Sequence, residues 1–286
     1  MTINKEKIIK AQENIKTKTP LTSLITNNVT INDSTNAVLA IGGTAAAGDD
    51  VTDMADFVKI SQSLVINLGK INPLQSQITD ESCNIATKNN IPILLDPIGV
   101  GLTKERENLV KKLIENYKIT CIKGNISEIK SIGKILNIEE SETKGARGVD
   151  ANNNDIISQD NIKTNTELLK KISKELNSII IASGPIDLIS NEKESYSIHN
   201  GDEMMSLITG SGCMLGAIIG TYIGANEPLI GSISGTIHLG IAGEKARTYV
   251  KKNNAGPSTF KTQLIDNLYK INSETLIKES KYEKIV

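Results

Sequence analysis

Tryptophan is absent from this 286-residue chain, and aromatic residues of all kinds make up 3% of it. Surfaces that hold single-stranded nucleic acid stack bases on aromatic rings, so the composition argues against that class of function. No charge of one sign dominates either: 32 Lys and Arg stand against 33 Asp and Glu, for a net charge of −1. Such a chain builds no broad field to attract nucleic acid or an anionic membrane. The only two histidines, His199 and His238, are too few for a histidine-based metal site without cysteine or carboxylate help. Three widely spaced cysteines (Cys83, Cys121, Cys213) fit neither a disulfide framework nor a zinc motif, and point to a reducing cytoplasm. No apolar run approaches the ~18 residues of a membrane-spanning helix. The opening "MTINKEKIIKAQENIKTKTPL" scatters charges where a signal peptide would keep an apolar stretch.

What remains is a core built from Ile, Leu, Val and Ala. Short apolar runs at 23–26, 44–47, 64–67, 93–96, 120–123 and 179–183 read as strands. Longer periodic segments around 31–41, 51–61, 73–89, 103–116, 126–136 and 161–176 read as helices between them. That alternation predicts an α/β fold, a mostly parallel central sheet with helices on both faces. Two alternating runs flank "SNEKE" within 186–199 and predict an antiparallel hairpin at the sheet edge. After 209 the chain turns helical and rich in small residues, which permits close helix packing. The polar stretch 150–161 reads as a loop, and no repeat or low-complexity linker divides the chain, so a single domain over 1–286 is expected.

Candidate chemistry gathers at strand ends. "ITGSGCMLGAIIG" (208–220) sets a glycine-rich turn against a helix, where unpaired backbone N–H groups make an anion site. Cys213, in the first turn, is either a small packing residue or a reactive thiol. "LLDPIGVG" (94–101) ends a strand in Asp96, which could hold a cation or cap the next turn. In "IKGNISEI" (122–129) Glu128 stands three residues after Asn125, the spacing of a capping box. The alternative for Glu128 is a carboxylate facing Mg²⁺, with Lys123 as a phosphate-pairing cation. "LITNNVTIND" (24–33) brings two asparagines to a strand-to-helix junction, to cap, to form Asx turns, or to bond a small polar ring. "IASGP" (181–185) ends another strand in small residues that leave room for a planar ligand.

In this order, the blocks "ITNNVTINDSTNAVLAIG", "LVINLGKI", "IPILLDPIGVG", "KGNISEI", "ARGVDA", "SGPIDLI", "NGDEMMSLITGSGCMLGA" and "GPSTFKTQLIDNLY" resemble the hydroxyethylthiazole kinase family over roughly residues 15–272. The resemblance implies a ribokinase-like fold, thiamine salvage, and Mg²⁺-dependent phosphoryl transfer from ATP to hydroxyethylthiazole. It also implies a homotrimer with substrate sites at subunit interfaces. Related ribokinase-like enzymes usually end the late glycine turn in Asp, the base for the substrate proton, whereas thiazole kinases have Cys, here Cys213. By the same resemblance Gly210 lies against the thiazole, and Asn27, Ala47 and the Gly69 turn line its pocket. Gly210, Gly212 and Cys213 form the catalytic turn, Lys123 and Ser183 contact ATP, and Asp96 and Glu128 sit around Mg²⁺.

Three positions depart from the family pattern. Lys123 stands where the family usually has Arg, turning a bidentate fork into a point charge. Ser183 replaces Thr and keeps the hydroxyl. "TAAA" (44–47) replaces "SPIM", so that Ala47 takes the place of a methionine contact. Hydroxymethylpyrimidine kinase and the ATP-dependent hydratase-repair lyase share the turn but normally carry Asp at the Cys213 position. A non-catalytic thiazole- or nucleotide-binding protein would need the pocket but not Asp96, Glu128 and the anion turn together.

Overall fold

The computed structural model describes residues 3–138 and 156–285. A first helix, α1 (Lys5–Lys18), precedes β1 (Leu21–Ile25), and alternation then runs through α2 (Ile31–Ala40), β2 (Thr44–Ala47), α3 (Val51–Ile60) and β3 (Ser63–Asn67). It continues with α4 (Pro73–Lys88), β4 (Ile93–Asp96), α5 (Lys104–Asn116), β5 (Cys121–Asn125), α6 (Ile126–Ile135), α7 (Ile162–Leu176) and β6 (Ile179–Ser183). The expected hairpin is β7 (Asp187–Ser190) and β8 (Ser195–Ile198). Helices α8 (Ser211–Ala225), α9 (Pro228–Lys252), α10 (Pro257–Lys270) and α11 (Ser273–Glu279) follow, and β9 (Tyr282–Ile285) closes the chain. Block 146–151, "ARGVDA", and the 150–155 part of the polar stretch lie outside the described residues.

Among the described residues the nine strands join one sheet in the order β2-β1-β3-β4-β5-β6-β7-β8-β9. Pairing is parallel from β2 to β6 and antiparallel from β6 to β9. Successive strand residues serve opposite faces. Val65, Leu94, Cys121 and Ile181 pack with α8 and α9, while Leu64, Ile66, Leu95, Ile122 and Ile180 belong to a second cluster with α3 to α7. Burial on both faces is why these strands read as continuous apolar runs.

Small residues let α8 lie close on the sheet. A Cβ added at Gly220 would come within 2.2 Å of Val65 Cγ2. One histidine has a purely structural place: His238 Nε2 donates to the Leu268 carbonyl (2.9 Å), so its Nδ1 accepts from Tyr222 Oη (2.8 Å). Burial pushes the imidazole down to about 4, keeping it neutral between α8, α9 and α10.

The strand order places the site. From β1 the chain first moves outward to β2, then returns so that β3 pairs on the other side of β1. Connections therefore diverge at the carboxyl ends of β1 and β3 and leave a crevice there, the usual ligand position in open α/β sheets.

Candidate active site

Asn27, just past β1, Asn67 and Asp96, ending β3 and β4, and Lys123, in β5, all arrive at this crevice. Asn67 and Asp96 are direct partners in the parallel register. Asn67 Nδ2 donates to Asp96 Oδ2 (3.2 Å) and to Cys213 Sγ (3.3 Å). Its Oδ1 accepts from Asn27 Nδ2 (3.1 Å) and from the Gly69 backbone N–H (3.0 Å). Asn27 Nδ2 also lies 3.9 Å from Cys213 Sγ. The Asn27 side chain is meanwhile fixed by its own turn, accepting from the Val29 and Thr30 N–H groups.

Helix α8 meets this cluster end-on. Its N-cap is Gly210, with φ 88° and no side-chain cap, and the Met214 N–H makes the bond to the Gly210 carbonyl (2.8 Å). The backbone N–H groups of Ser211, Gly212 and Cys213 therefore lack intrahelical partners, at the positive end of a four-turn dipole. Glycine is required at 210 twice over: for the positive φ, and because a Cβ would stand 2.9 Å from Thr30 Cγ2. Lys123 Nζ donates to the Gly212 carbonyl (3.0 Å) and to Asp96 Oδ2 (3.2 Å), tying the turn to the sheet. Cys83 and Cys121 are wholly buried, but Cys213 is only half-buried and reaches the crevice.

Glu128 takes the capping role that its spacing from Asn125 allowed, and a second structural role besides. It closes the capping box of α6, its Oε2 accepting the Asn125 N–H (2.8 Å) while Asn125 Oδ1 accepts the Glu128 N–H (2.9 Å). Its Oε1 accepts the Gly99 N–H (2.9 Å), so the carboxylate also anchors the glycine turn after Asp96.

The charges in the cluster do not cancel. Two buried carboxylates face one buried ammonium. Burial works against the charge on Lys123, yet Asp96 and Glu128 hold its pKa above the ordinary lysine value. Burial pushes the Asp96 carboxyl up, opposed by Lys123 and by hydrogen bonds from Lys123 and Asn67. Burial, then the Asp96 charge, pushes Glu128 up to about 7 against its two backbone donors and Lys123. Asp96 Oδ1 is buried with no hydrogen-bond partner among the described residues. An unpartnered carboxylate oxygen in a site with surplus negative charge fits a hard divalent cation. Among the described residues no group of three or more His, Cys, Asp and Glu side chains could hold a metal by itself. A cation held here would take one or two carboxylates and complete its shell with other oxygen donors, as hard divalent ions of this kind do.

Other expected residues stand apart. Ser183, half-buried opposite Asn125, donates through Oγ to the Gly124 carbonyl (3.3 Å), on the far flank from Asn27. Ala47 is exposed at the end of the edge strand β2, in register with Leu24. Asn28 faces solvent. Three further residues take part. Asn67 joins the crevice by the strand-end position that singled out Asp96, in the run "LVIN". Arg106 donates to the Leu68 and Ile98 carbonyls (2.5 and 2.6 Å), fastening the loops after β3 and β4; no local motif marked it. Asp187 accepts the Gly184 N–H (2.9 Å) beneath the Ser183 turn, and burial pushes it up to about 7.

The arrangement is an anion cradle at a helix N-terminus beside carboxylates and an ammonium, the parts that phosphoryl transfer needs. The architecture agrees. A ribokinase-like superfamily protein from Enterococcus faecalis V583 superposes with a TM-score of 0.62 at 13% identity, over 95% of this chain and 96% of that one. The molecule thus has an α/β, ribokinase-like fold. Finer likeness comes from a hydroxyethylthiazole kinase protein of Pyrococcus horikoshii OT3, with a TM-score of 0.85 at 26% identity over 98% of this chain and 100% of that one. The hydroxyethylthiazole kinase of Methanobrevibacter smithii is 46% identical over 284 residues, 98% of this chain and 99% of that protein. The model of the hydroxyethylthiazole kinase family matches residues 12–274. The chain belongs to that family.

Proposed function

We infer that this protein is a hydroxyethylthiazole kinase, which moves the γ-phosphoryl group of ATP to the primary alcohol of 4-methyl-5-(2-hydroxyethyl)thiazole in thiamine salvage. The observation that carries the reading is the uncapped N-terminus of α8, with Cys213 set beside Asn67, Asp96 and Lys123. In the transfer the alcohol oxygen bonds to the γ-phosphorus, the bond to the β-phosphate oxygen breaks, and ADP leaves. Backbone donors of Gly210 to Cys213 receive the charge on the transferring group, worth several kcal/mol for such donors in a dry site, on the order of 3 kcal/mol each. Cys213 is the acceptor for the alcohol proton. Lys123, beside the Gly212 carbonyl, neutralises phosphate oxygens. Asp96 through its unpartnered oxygen and Glu128, directly or by water, would hold Mg²⁺, which would supply charge neutralisation at the phosphates.

In this reading Gly210, Asn27, the Gly69 turn and Ala47 border the thiazole, and Ser183 with its turn borders ATP. The whole chain acts as one kinase domain in the cytoplasm, as a homotrimer whose substrate sites lie between subunits. No helix among the described residues is long and apolar enough to cross a membrane. The test is ADP release by the purified protein with ATP and Mg²⁺ over a panel of alcohols. Hydroxyethylthiazole alone among them should be phosphorylated. Turnover of hydroxymethylpyrimidine instead, or binding of the thiazole without ADP release, would overturn the reading.

A further inference from the structure

Nothing in the fold obliges Asn67 to make the bonds it makes. It ends β3 with 3% of its surface exposed, and a buried amide at such a position ordinarily spends its hydrogen bonds on the backbone. Here one of its four goes to backbone, the Gly69 N–H, and three go to side chains of the crevice. The orientation of the amide follows from its partners. Two donors, Gly69 N–H and Asn27 Nδ2, converge on one terminal atom, which is therefore the oxygen. The NH₂ group then has two hydrogens and two acceptors, Asp96 Oδ2 at 3.2 Å and Cys213 Sγ at 3.3 Å.

We propose that Asn67 is a positioning residue of the phosphoryl-transfer centre, which holds Cys213 with its sulfur as acceptor and fixes which oxygen of Asp96 is left free. The proposal rests on the kinase reading above. Because Asn67 presents a hydrogen to Sγ, the sulfur presents a lone pair to Asn67, and its side-chain torsion is pinned at the mouth of the anion turn. Because Asn67 shares Asp96 Oδ2 with Lys123, Oδ1 becomes the oxygen without a partner among the described residues. One amide thus sets the geometry of two groups that arrive on different elements, β4 and α8. Supporting residues of this kind typically change activity 10- to 100-fold when removed, without touching substrate.

The test measures kcat and KM for Asn67→Ala and Asn67→Ser, each alone and on a Cys213→Ala background, with melting temperatures for all variants. An inactive parent protein would sink the kinase reading and this proposal with it, whereas failure of the proposal alone shows only against an active parent. With an active parent, kcat should fall roughly 10- to 100-fold while KM for ATP and thiazole stays within about threefold. On the Cys213→Ala background the same change should cost at least threefold less, since the sulfur it positions is gone. An unchanged kcat, or a rise in KM alone, or an equal cost on both backgrounds, would overturn the proposal. If Asn67→Ala proves unstable, Asn67→Ser decides by the same three measurements.

Discussion

The sulfur of Cys213 accepts from an amide and borders the three orphan N–H groups of α8, so its loss and the loss of the anion turn should have different costs. Cys213→Ala is expected to lower kcat by roughly 10²-fold, the low end of what a positioned base contributes, with the protein still folded and the backbone donors intact. Cys213→Asp, already ionised at pH 7, should keep or raise activity; an unchanged rate in the Ala variant would return Cys213 to mere packing. Asp187 gives a prediction in pH. Its carboxyl sits at about 7 in the fold against an ordinary 3.8, with burial as the main cause. Between those values the folded protein holds a proton that the unfolded chain has released, so stability falls as pH rises and levels off above about 7. Glu128, also near 7, adds to the same fall. Asp187→Asn keeps an acceptor for the Gly184 N–H and removes the charge. Urea unfolding at pH 5 and pH 8 should therefore show a smaller loss in the variant, by on the order of 2–3 kcal/mol. Identical pH dependence in both proteins would mean that Asp187 ionises freely. The sequence displayed Asp96, Glu128 and Cys213 because each stands in a local pattern of turn residues. Asn67 and Asp187 had no such pattern; their importance comes from partners 29, 146 and 3 residues away that only the sheet register and turn geometry bring to them.

Elements were legible where periodicity and burial coincide. The six parallel strands fall within two residues of the apolar runs, because burial on both faces leaves no room for polar interruption. Helix α1 is weakly marked in sequence, although Ile8, Ala11, Gln12 and Ile15 form a buried stripe at helical spacing. One member of that stripe is polar, and Gln12 is admitted because its Nε2 donates to the Ile271 carbonyl (2.7 Å) at the far end of the chain. Strand β9 carried no signal at all: Glu283 and Lys284 are exposed, and pairing to β8 supplies what sequence pattern does not. The small residues of α8 did announce close packing, and the structure makes that quantitative. Gly220→Ala would force its Cβ into Val65 Cγ2, an overpacking expected to cost about 1–3 kcal/mol. Adding Val65→Ala should recover part of that loss, read as a melting temperature that falls in the single variant and rises again in the double. If the single variant melts like the parent, α8 is not pressed on β3 at this point.

At the scale of the whole molecule the crevice is asymmetric. Its β4–β5 side is walled by the Glu128-anchored turn and the Ser183 turn, but its β1–β2 side ends at an edge strand. Ala47 closes that strand with its side chain exposed, and Val29, two residues past Asn27, is 71% exposed. An open apolar rim beside a small-molecule site calls for a cover, and in the trimer proposed above a second copy of the chain provides it. The family's methionine would fill space at position 47 that alanine leaves, so Ala47→Met is the informative change. Restoring several methylene-sized groups, each worth about 0.8 kcal/mol when buried, should lower the thiazole KM roughly 5- to 30-fold if a neighbouring subunit encloses the side chain. A thiazole with a bulkier substituent than methyl at position 4 should lose turnover in the same variant. Sedimentation should give three times the chain mass for both proteins, and activity should fall on dilution below the assembly threshold. If the chain sediments as a monomer at full activity, or if neither KM moves, Ala47 faces solvent and the thiazole pocket is complete within one chain.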